Sequence, residues 1–495
     1  MQDPASSGTA STHLYDAIVI GSGFAGICSI ITLRKQGITN VLMLEQEDTL
    51  GGTWWKNNYP GAAVDVPSHI YCFSFEPYRW TRLFAEQKEI LAYTNYVIDK
   101  HKLADIALTS AKVVECVFRE PLGRWLVELA DGRSFVTRTL INAGLGLNQL
   151  NIPDIRGAAE FKGASFHTGA WDWGVDYEDK RVGVIGNGAS AVQVIPAIAD
   201  AVKQLHVFQR TPHWTLPRPD RMISERKAKI LAKPIIAKVH WLYSLLLLER
   251  RIIPFMWYPK LLHRLAGGMA KAHLAREVND LEMRNKLTPT FMIGCKRILL
   301  TNDYYATLQK EHVHLETEGI DSINGCGVLT NTGDQVDLDV LIYATGFDIS
   351  GQTRENVVGL GGLRLKEKFR NGTFAYLFTQ TANFPNYFMV PGPNAAMVQN
   401  SGVASIELCA NLAVRTIKYL LDHDLKYIAA KEDAEVRFNE KLQRKMQRTV
   451  WIAGGCNSWY KNPDGTISTL NPFSGIYSYW VTRRFVPRNY VLEAK

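Results

Sequence analysis

The chain has 495 residues, 46% of them hydrophobic and 21% charged, the balance of a soluble globular protein with ample core and room for roughly three domains. Its net charge of +8 is mild for this length, and no run of Lys and Arg marks a nucleic-acid partner. The cysteines (Cys28, Cys72, Cys116, Cys295, Cys326, Cys409, Cys456) are odd in number and scattered, which argues against a zinc site or a disulfide framework and reads as reduced thiols in a cytoplasmic setting.

Residues 1–14 are small and polar, without a basic region leading into an apolar core, so a disordered start and no signal peptide are expected. The apolar run Asp16 to Ile20 then predicts a strand. It is followed by Gly21-Ser22-Gly23-Phe24-Ala25-Gly26, a helix, and a second strand, Val41 to Leu44, that ends at Glu45. Such a strand–turn–helix lets backbone amides and a helix N-terminus approach a pyrophosphate. A long irregular segment leads to a hairpin at Asp131-Gly132 and a strand ending at Asn142-Ala143-Gly144.

The same grammar returns. Arg181 to Ile185 predicts a strand, Gly186-Asn187-Gly188-Ala189-Ser190-Ala191 the turn, and Leu205 to Phe208 the strand that leads to Arg210. Each first glycine precedes its terminal residue, Glu45 or Arg210, by 24 positions. An acid there accepts hydrogen bonds from a ribose diol, whereas a guanidinium accommodates a 2′-phosphate. The pair therefore reads as FAD in the first site and NADPH in the second. A later hairpin near Gly333-Asp334 and the apolar strand Val340 to Tyr343 complete the second unit.

The fold class expected is α/β, with two Rossmann-like dinucleotide-binding domains and a helical insertion. The FAD domain would take residues 15–145 and 350–495, the NADP domain 146–216 and 289–349, and the insertion 217–288. Pro234 and Pro254 are read as breaks in that insertion, whose role is open between packing, a substrate lid and a membrane-surface contact. Its most apolar stretch, Val239 to Leu248, is too short to span a bilayer. Leu377 to Gly392 reads as strand-rich and Ile406 to Leu421 as a long helix. The sequon at Asn371 reads as a chance match.

Between the glycine motifs stands Phe161-Lys162-Gly163-Ala164-Ser165-Phe166-His167-Thr168-Gly169-Ala170-Trp171-Asp172. It resembles the F-x-G-x-x-x-H-T-x-x-W-[PD] fingerprint of type I Baeyer–Villiger monooxygenases at every fixed position. The resemblance runs from Tyr15 to the C-terminal aromatics. It implies a domain-junction role for Phe161, Gly163, His167, Thr168, Trp171 and Asp172.

The resemblance carries over where local motifs match. Gly51-Gly52-Thr53-Trp54 is similar to a segment along the flavin, and Tyr59-Pro60-Gly61-Ala62-Ala63-Val64-Asp65 to the loop that brings an aspartate to the nicotinamide side. It implies FAD contacts at Gly21, Gly23, Phe24, Ala25, Gly26, Glu45, Gly52, Thr53, Trp54, Asp65, Tyr71 and Val113. Gly294-Cys295-Lys296-Arg297 is similar to the segment bearing the active-site arginine, so Arg297 and Asp65 are the catalytic candidates. NADP contacts are implied at Gly186, Asn187, Gly188, Ala189, Ser190, Ala191, Gln193, Arg210, Thr211, Lys296, Arg297 and Trp459. No metal is implied. Read without the resemblance, Asp65 is a turn or cap residue and Lys296-Arg297 a solvated basic pair.

The implied activity is NADPH- and O2-dependent conversion of ketones to esters or lactones through a C4a-peroxyflavin. The rival reading is a flavin-containing or N-hydroxylating monooxygenase acting on amines or sulfides, against which Trp171 and Arg297 argue. A flavin reductase working on a disulfide would need paired redox cysteines near the first motif. The segment Asn394 to Gly402 is less bulky than in ring-ketone members, which favours open-chain ketones.

Overall fold

The computed structural model describes residues 10–144, 149–348, 356–397, 400–456, 458, 460–462 and 464–495. The expected domain junctions near 145 and 350, residues 1–9 of the expected disordered start, and Trp459 lie outside these.

Strand β1 (Ala10–Ile20) begins inside the stretch expected to be disordered. The reason is pairing: Ala10 and Leu14 run parallel to Ser134 and Val136 of β3 (Ser134–Asn142). Helix α1 (Phe24–Lys35) follows the first glycine turn, and β2 (Val41–Leu44) lies on the other side of β1. An eight-stranded sheet forms around this parallel centre. Beyond β3 it turns antiparallel through Arg124–Leu129 and Val113–Arg119, the hairpin arm read from Asp131-Gly132. Every residue of α1 from Phe24 to Leu33 is buried, as befits a helix apolar all round.

The second unit is a five-stranded parallel sheet. At its centre are β4 (Arg181–Ile185), joined through α2 (Ala191–Ile198) to β5 (Gln204–Phe208), and β6 (Val340–Tyr343). The strands Val313–Glu316 and Ala164–His167 form its edges, so the fingerprint segment enters the fold as the edge strand beside β6. Both sheets carry their glycine turn at the carboxyl end of a central strand, where open α/β sheets bind ligands.

Thr215–Leu216 and Leu299–Leu300 pair in parallel at the neck of the insertion. Beyond the neck come Glu225–Leu231, α3 (Pro234–Trp257), α4 (Pro259–Glu277) and Leu281–Lys286. Pro234 opens α3, but Pro254 does not break it. Pro254 sits in the last turn, where its missing amide removes one bond and no further turn follows to be displaced by a kink.

The strand-rich reading of Leu377 to Gly392 does not hold. Only Tyr387–Met389 is extended into a strand, and Leu377, Phe378, Asn383 and Asn386 take positive φ, so the backbone keeps reversing. Apolar content there records burial, not extension. Helix α5 (Gly402–Asp422) starts with Ser401 Oγ accepting from the Val403 amide, and packs its buried stripe on α1. Helix α6 (Gly475–Thr482) lies near the C-terminus.

Candidate active site

The first glycine turn is a tight fit. Gly21 has φ +96°, and a Cβ on Gly26 would sit 1.8 Å from the Gly21 carbonyl oxygen. Gly23 leads into α1 in extended conformation with no side-chain cap, leaving the first amides, beginning with Phe24 and Ala25, as orphan donors for an anion. Gly52, at φ +57°, brings its own backbone so close that a Cβ would lie 2.5 Å from the Gly23 Cα. Thr53 and Trp54 therefore start their short helix against the turn. Glu45 is buried, and its Oε2 accepts from Ser22 N at 2.8 Å and Ser22 Oγ at 2.5 Å. Its carbonyl accepts from the Ala111 amide at 2.7 Å, which places the start of the Val113 strand beside it.

The second turn is fastened differently. Gly186 has φ +114°, and Asn187 Nδ2 donates to Gln209 Oε1 at 2.8 Å and to the Thr211 carbonyl at 2.9 Å. A Cβ on Gly188 would meet nothing within 4 Å. Ser190 precedes α2 without a side-chain cap, and Ala191 opens the helix. Gln193 ties this helix to the first unit: Tyr59 Oη donates to Gln193 Oε1 at 2.8 Å, and Gln193 Nε2 donates to the Ala63 carbonyl at 3.0 Å. Arg210 is exposed at the end of β5, and Lys296 is half-buried near it. Burial, then the like charge of Arg210, hold the Lys296 ammonium below its usual range.

Asp65 and Arg297 meet where the two units face each other. Arg297 Nε donates to Asp65 Oδ2 and Nη2 to Oδ1, both at 2.6 Å, a two-point pairing that fixes the guanidinium plane. About a third of each side chain remains accessible, 36% for Arg297 and 31% for Asp65, so the pair is reached from outside rather than sealed in the core. The field of Asp65 raises Arg297 further above its ordinary value, and Tyr460 and Tyr71 act in the same direction. Burial pushes both phenols up to about 12, so they remain neutral. Tyr71 Oη accepts from Trp54 Nε1 at 3.1 Å.

Three features of this region were not read from the sequence. His213 is pushed down to about 4, first by burial and then by Lys296, so it is neutral beside the basic pair. Tyr460 follows Trp459 in a segment read for its tryptophan and not for this phenol. Most directly, Cys295 and Cys456 are bonded, with Cα atoms 6.1 Å apart. The expectation of reduced thiols fails there, because a separation of 161 residues hides a pair that the fold brings together. The bond fastens the residue before Lys296-Arg297 to the C-terminal segment.

The fingerprint residues build the edge of the second sheet. A Cβ on Gly163 would strike the Asp339 carbonyl at 2.3 Å, and Phe161 packs against the cluster that holds Tyr343. His167 is buried, its Nδ1 accepts from the Gly169 amide at 2.9 Å, and its ring lies edge-on to Phe347. Thr168 is buried beside it, Trp171 packs edge-on to Phe166, and Asp172 accepts from the Gly174 amide. The segment thus touches the chain where it leaves β6. In the loop after Pro393, Val398 and Gln399 lie outside the described residues.

Residues 19–87 match the family model of the NAD(P)-binding Rossmann-like domain. A Baeyer–Villiger monooxygenase of Pseudomonas aeruginosa is 38% identical, over 94% of this chain and 88% of the relative. One from Streptomyces coelicolor is 36% identical, over 92% and 88%. Among solved structures, cyclohexanone monooxygenase from Rhodococcus sp. Phi1 bound to NADP+ superposes with a TM-score of 0.89 at 27% identity, covering 98% of this chain and all (100%) of that one. OTEMO in complex with FAD and NADP gives a TM-score of 0.87 at 27% identity, covering 97% and 99%.

Proposed function

The chain belongs to the Baeyer–Villiger monooxygenase family, and from that premise we propose that Arg297 is its catalytic residue and Asp65 the side chain that positions it. The protein is an FAD- and NADPH-dependent flavoprotein monooxygenase that converts ketones to esters or lactones. Dioxygen is the co-substrate we assign to it. The observation that carries the site reading is the bidentate Asp65–Arg297 pair, reaching from the first unit to the second and still partly accessible.

The residues present fit both cofactors. Close backbone approaches at Gly21, Gly26 and Gly52 make a cradle that no side chain could share, next to the orphan amides of α1 and the Glu45 carboxylate. We assign these, with Thr53, Trp54, Tyr71 and the backbone at Val113, to FAD. Arg210 and Lys296 set two like charges together, an arrangement a phosphate relieves. We assign them, with Thr211, Gln193 and the turn from Gly186 to Ala191, to NADPH. Trp459 is assigned to NADPH on the family resemblance alone. Residues 15–145 with 350–495 would form the FAD domain, and 146–216 with 289–349 the NADP domain. No single helix among the described residues is long and apolar enough to cross a membrane. We place the chain in the cytoplasm, where NADPH is supplied.

Bound together, the cofactors supply two electrons and the activation of dioxygen. The protein's part is electrostatic. Arg297 cannot lose its proton at working pH, so it offers a fixed positive charge to negative charge that develops on the ketone oxygen. Asp65 holds the guanidinium in one plane, so no reorganisation is needed as charge moves. Removal of such a donor costs on the order of 10²–10³ in rate. Arg297→Ala should retain FAD and be bleached by NADPH without air. In air it should consume NADPH, release hydrogen peroxide and form almost no ester. Anaerobic stopped-flow reduction followed by product analysis tests this, and near-normal ester yield would remove Arg297 from the chemistry.

A further inference from the structure

We propose that the helical insertion, together with α6, is a docking surface for the anionic face of a lipid bilayer. A surface helix ordinarily turns its apolar stripe to the core. Helix α3 turns one outward. Ile235, Val239, Leu242, Tyr243 and Leu246 are 81%, 64%, 54%, 58% and 45% exposed. Their spacing puts all five within an arc of about 100° on a helix of 3.6 residues per turn. Helix α4 repeats the pattern with Leu261, Leu265 and Met269, each more than half exposed. Helix α6 adds Ile476, Tyr479 and Trp480, again at helical spacing and again exposed. It starts on the same framework, because the Gly475 amide donates to Glu249 Oε1 of α3 at 2.9 Å. Outward apolar stripes of this kind mark an interaction surface.

Charge identifies the partner. Residues 225–271 contain ten Lys and Arg against two acids, Glu225 and Glu249, and Glu249 is buried. These residues carry a net +8, equal to the charge of the whole chain, so the remainder is neutral in sum. Lys227 and Lys238 are exposed on the first two helices of the insertion, and Lys233 is exposed in the bend between them. An outward apolar stripe flanked by lysines, with Tyr and Trp among its members, is the composition of a helix that lies in the headgroup plane. The helices Glu225–Leu231 and Pro234–Arg250 meet at 90°, and no single helix among the described residues is long and apolar enough to cross the bilayer.

The surface is held in place. His69 Nε2 and Ser244 Oγ are 3.0 Å apart, the His69 ring stacks on His240, and Asn400 Nδ2 donates to Glu249 Oε1 at 3.1 Å. Docking therefore needs no folding of a loose segment, whose ordering would oppose binding.

The test is flotation of the FAD-loaded full chain with phosphatidylcholine vesicles, with and without one-quarter phosphatidylglycerol. The expected result is at least tenfold stronger partitioning with phosphatidylglycerol, lost in high salt. Lys227→Gln/Lys233→Gln/Lys238→Gln should weaken it by about a hundredfold. Val239→Ser/Leu242→Ser/Leu246→Ser should abolish partitioning without lowering the melting temperature, since all three side chains are exposed. Both variants should oxidise a water-soluble ketone like the parent, which separates failure of this inference from failure of the functional reading. Equal partitioning into both vesicles, or parental binding by the serine variant, would overturn the proposal. So would a dimer by light scattering that the serine variant breaks and that binds neither vesicle, since a second copy would then own this face.

Discussion

The two glycine turns share a backbone and differ in what closes them. Both open with a glycine at strongly positive φ, +96° at Gly21 and +114° at Gly186. The first is locked by a carboxylate, Glu45 holding Ser22 by amide and hydroxyl. The second is locked by amides, Asn187 on Gln209 and Thr211. The first is also crowded by Gly26 and Gly52, whereas the second leaves open space around Gly188 and starts its helix with Ala191. The difference suits the cofactors proposed for them, FAD at the first turn and the exchanging nucleotide NADPH at the second. A buried acid and touching backbones favour retention; a turn closed by neutral amides, with Arg210 exposed, favours exchange.

The largest expected effect breaks the first turn and spares the second. Gly26→Ala puts a methyl into a carbonyl oxygen 1.8 Å away, and neither is the end of a flexible chain. Loss of bound FAD and of soluble folded protein is expected. Gly188→Ala meets nothing within 4 Å, so the yellow colour and melting temperature should persist. NADPH should nevertheless bind more weakly, because this glycine lets the backbone approach the pyrophosphate. Absorbance at the flavin band and NADPH titration read both outcomes. A stable, yellow Gly26→Ala would show that the turn is looser than its geometry.

This contrast was partly legible in the sequence. The motifs, their strands and the Glu45/Arg210 distinction follow from local spacing, which is why both strand–turn–helix units fold as read. Ala191 in place of a third glycine was also visible, but the clash that excludes a methyl at Gly26 depends on Gly21 in the folded turn. Asp65 and Arg297 are 232 positions apart, and only the family resemblance suggested that they belong together. The Cys295–Cys456 bond had no local signal at all, and Val113 or Tyr71 would have read as ordinary core. The irregular path from Leu377 to Gly392 was misread for a related reason. Buried loops and strands share composition, and positive φ at Leu377 and Phe378 leaves no mark in a single sequence.

A buried carboxyl behind α1 gives a way to separate the units by pH. Glu407 on α5 accepts from the Ser74 amide at 2.5 Å and Ser74 Oγ at 2.6 Å, yet burial raises it from 4.5 to about 7. Between those values the folded chain holds a proton that the unfolded chain has released. Stability from this group therefore falls as pH rises through that window and is level above it. Glu407→Gln keeps an acceptor for the amide and removes the charge. Its advantage over the parent should be below about 1 kcal/mol at pH 5 and about 3 kcal/mol at pH 8. Denaturant midpoints at the two pH values measure it, and an advantage that does not change with pH would discard the burial argument. The amide-locked second turn should show no such dependence in its NADPH affinity.

The smallest effects sharpen the comparison at the strand ends. Arg210 is exposed, so its loss should not disturb the fold. A charge-assisted bond to a phosphate is worth about 1.5–3 kcal/mol, so Arg210→Ala should weaken NADPH roughly ten- to a hundredfold and leave NADH nearly unchanged. Lys296 should contribute less. Its ammonium is a point charge without the planar fork of Arg, and it is already held below its usual range by burial and by Arg210. Lys296→Ala should therefore weaken NADPH less than Arg210→Ala does, again sparing NADH. In the double variant the losses should not add, because removing Arg210 relieves the repulsion on Lys296 and lets it hold its proton more firmly. Steady-state KM values for both nucleotides in the three variants decide the matter. Equal losses for NADH and NADPH would mean that Arg210 and Lys296 support the turn itself, and the contrast between an acid-closed and a base-closed strand end would lose its meaning.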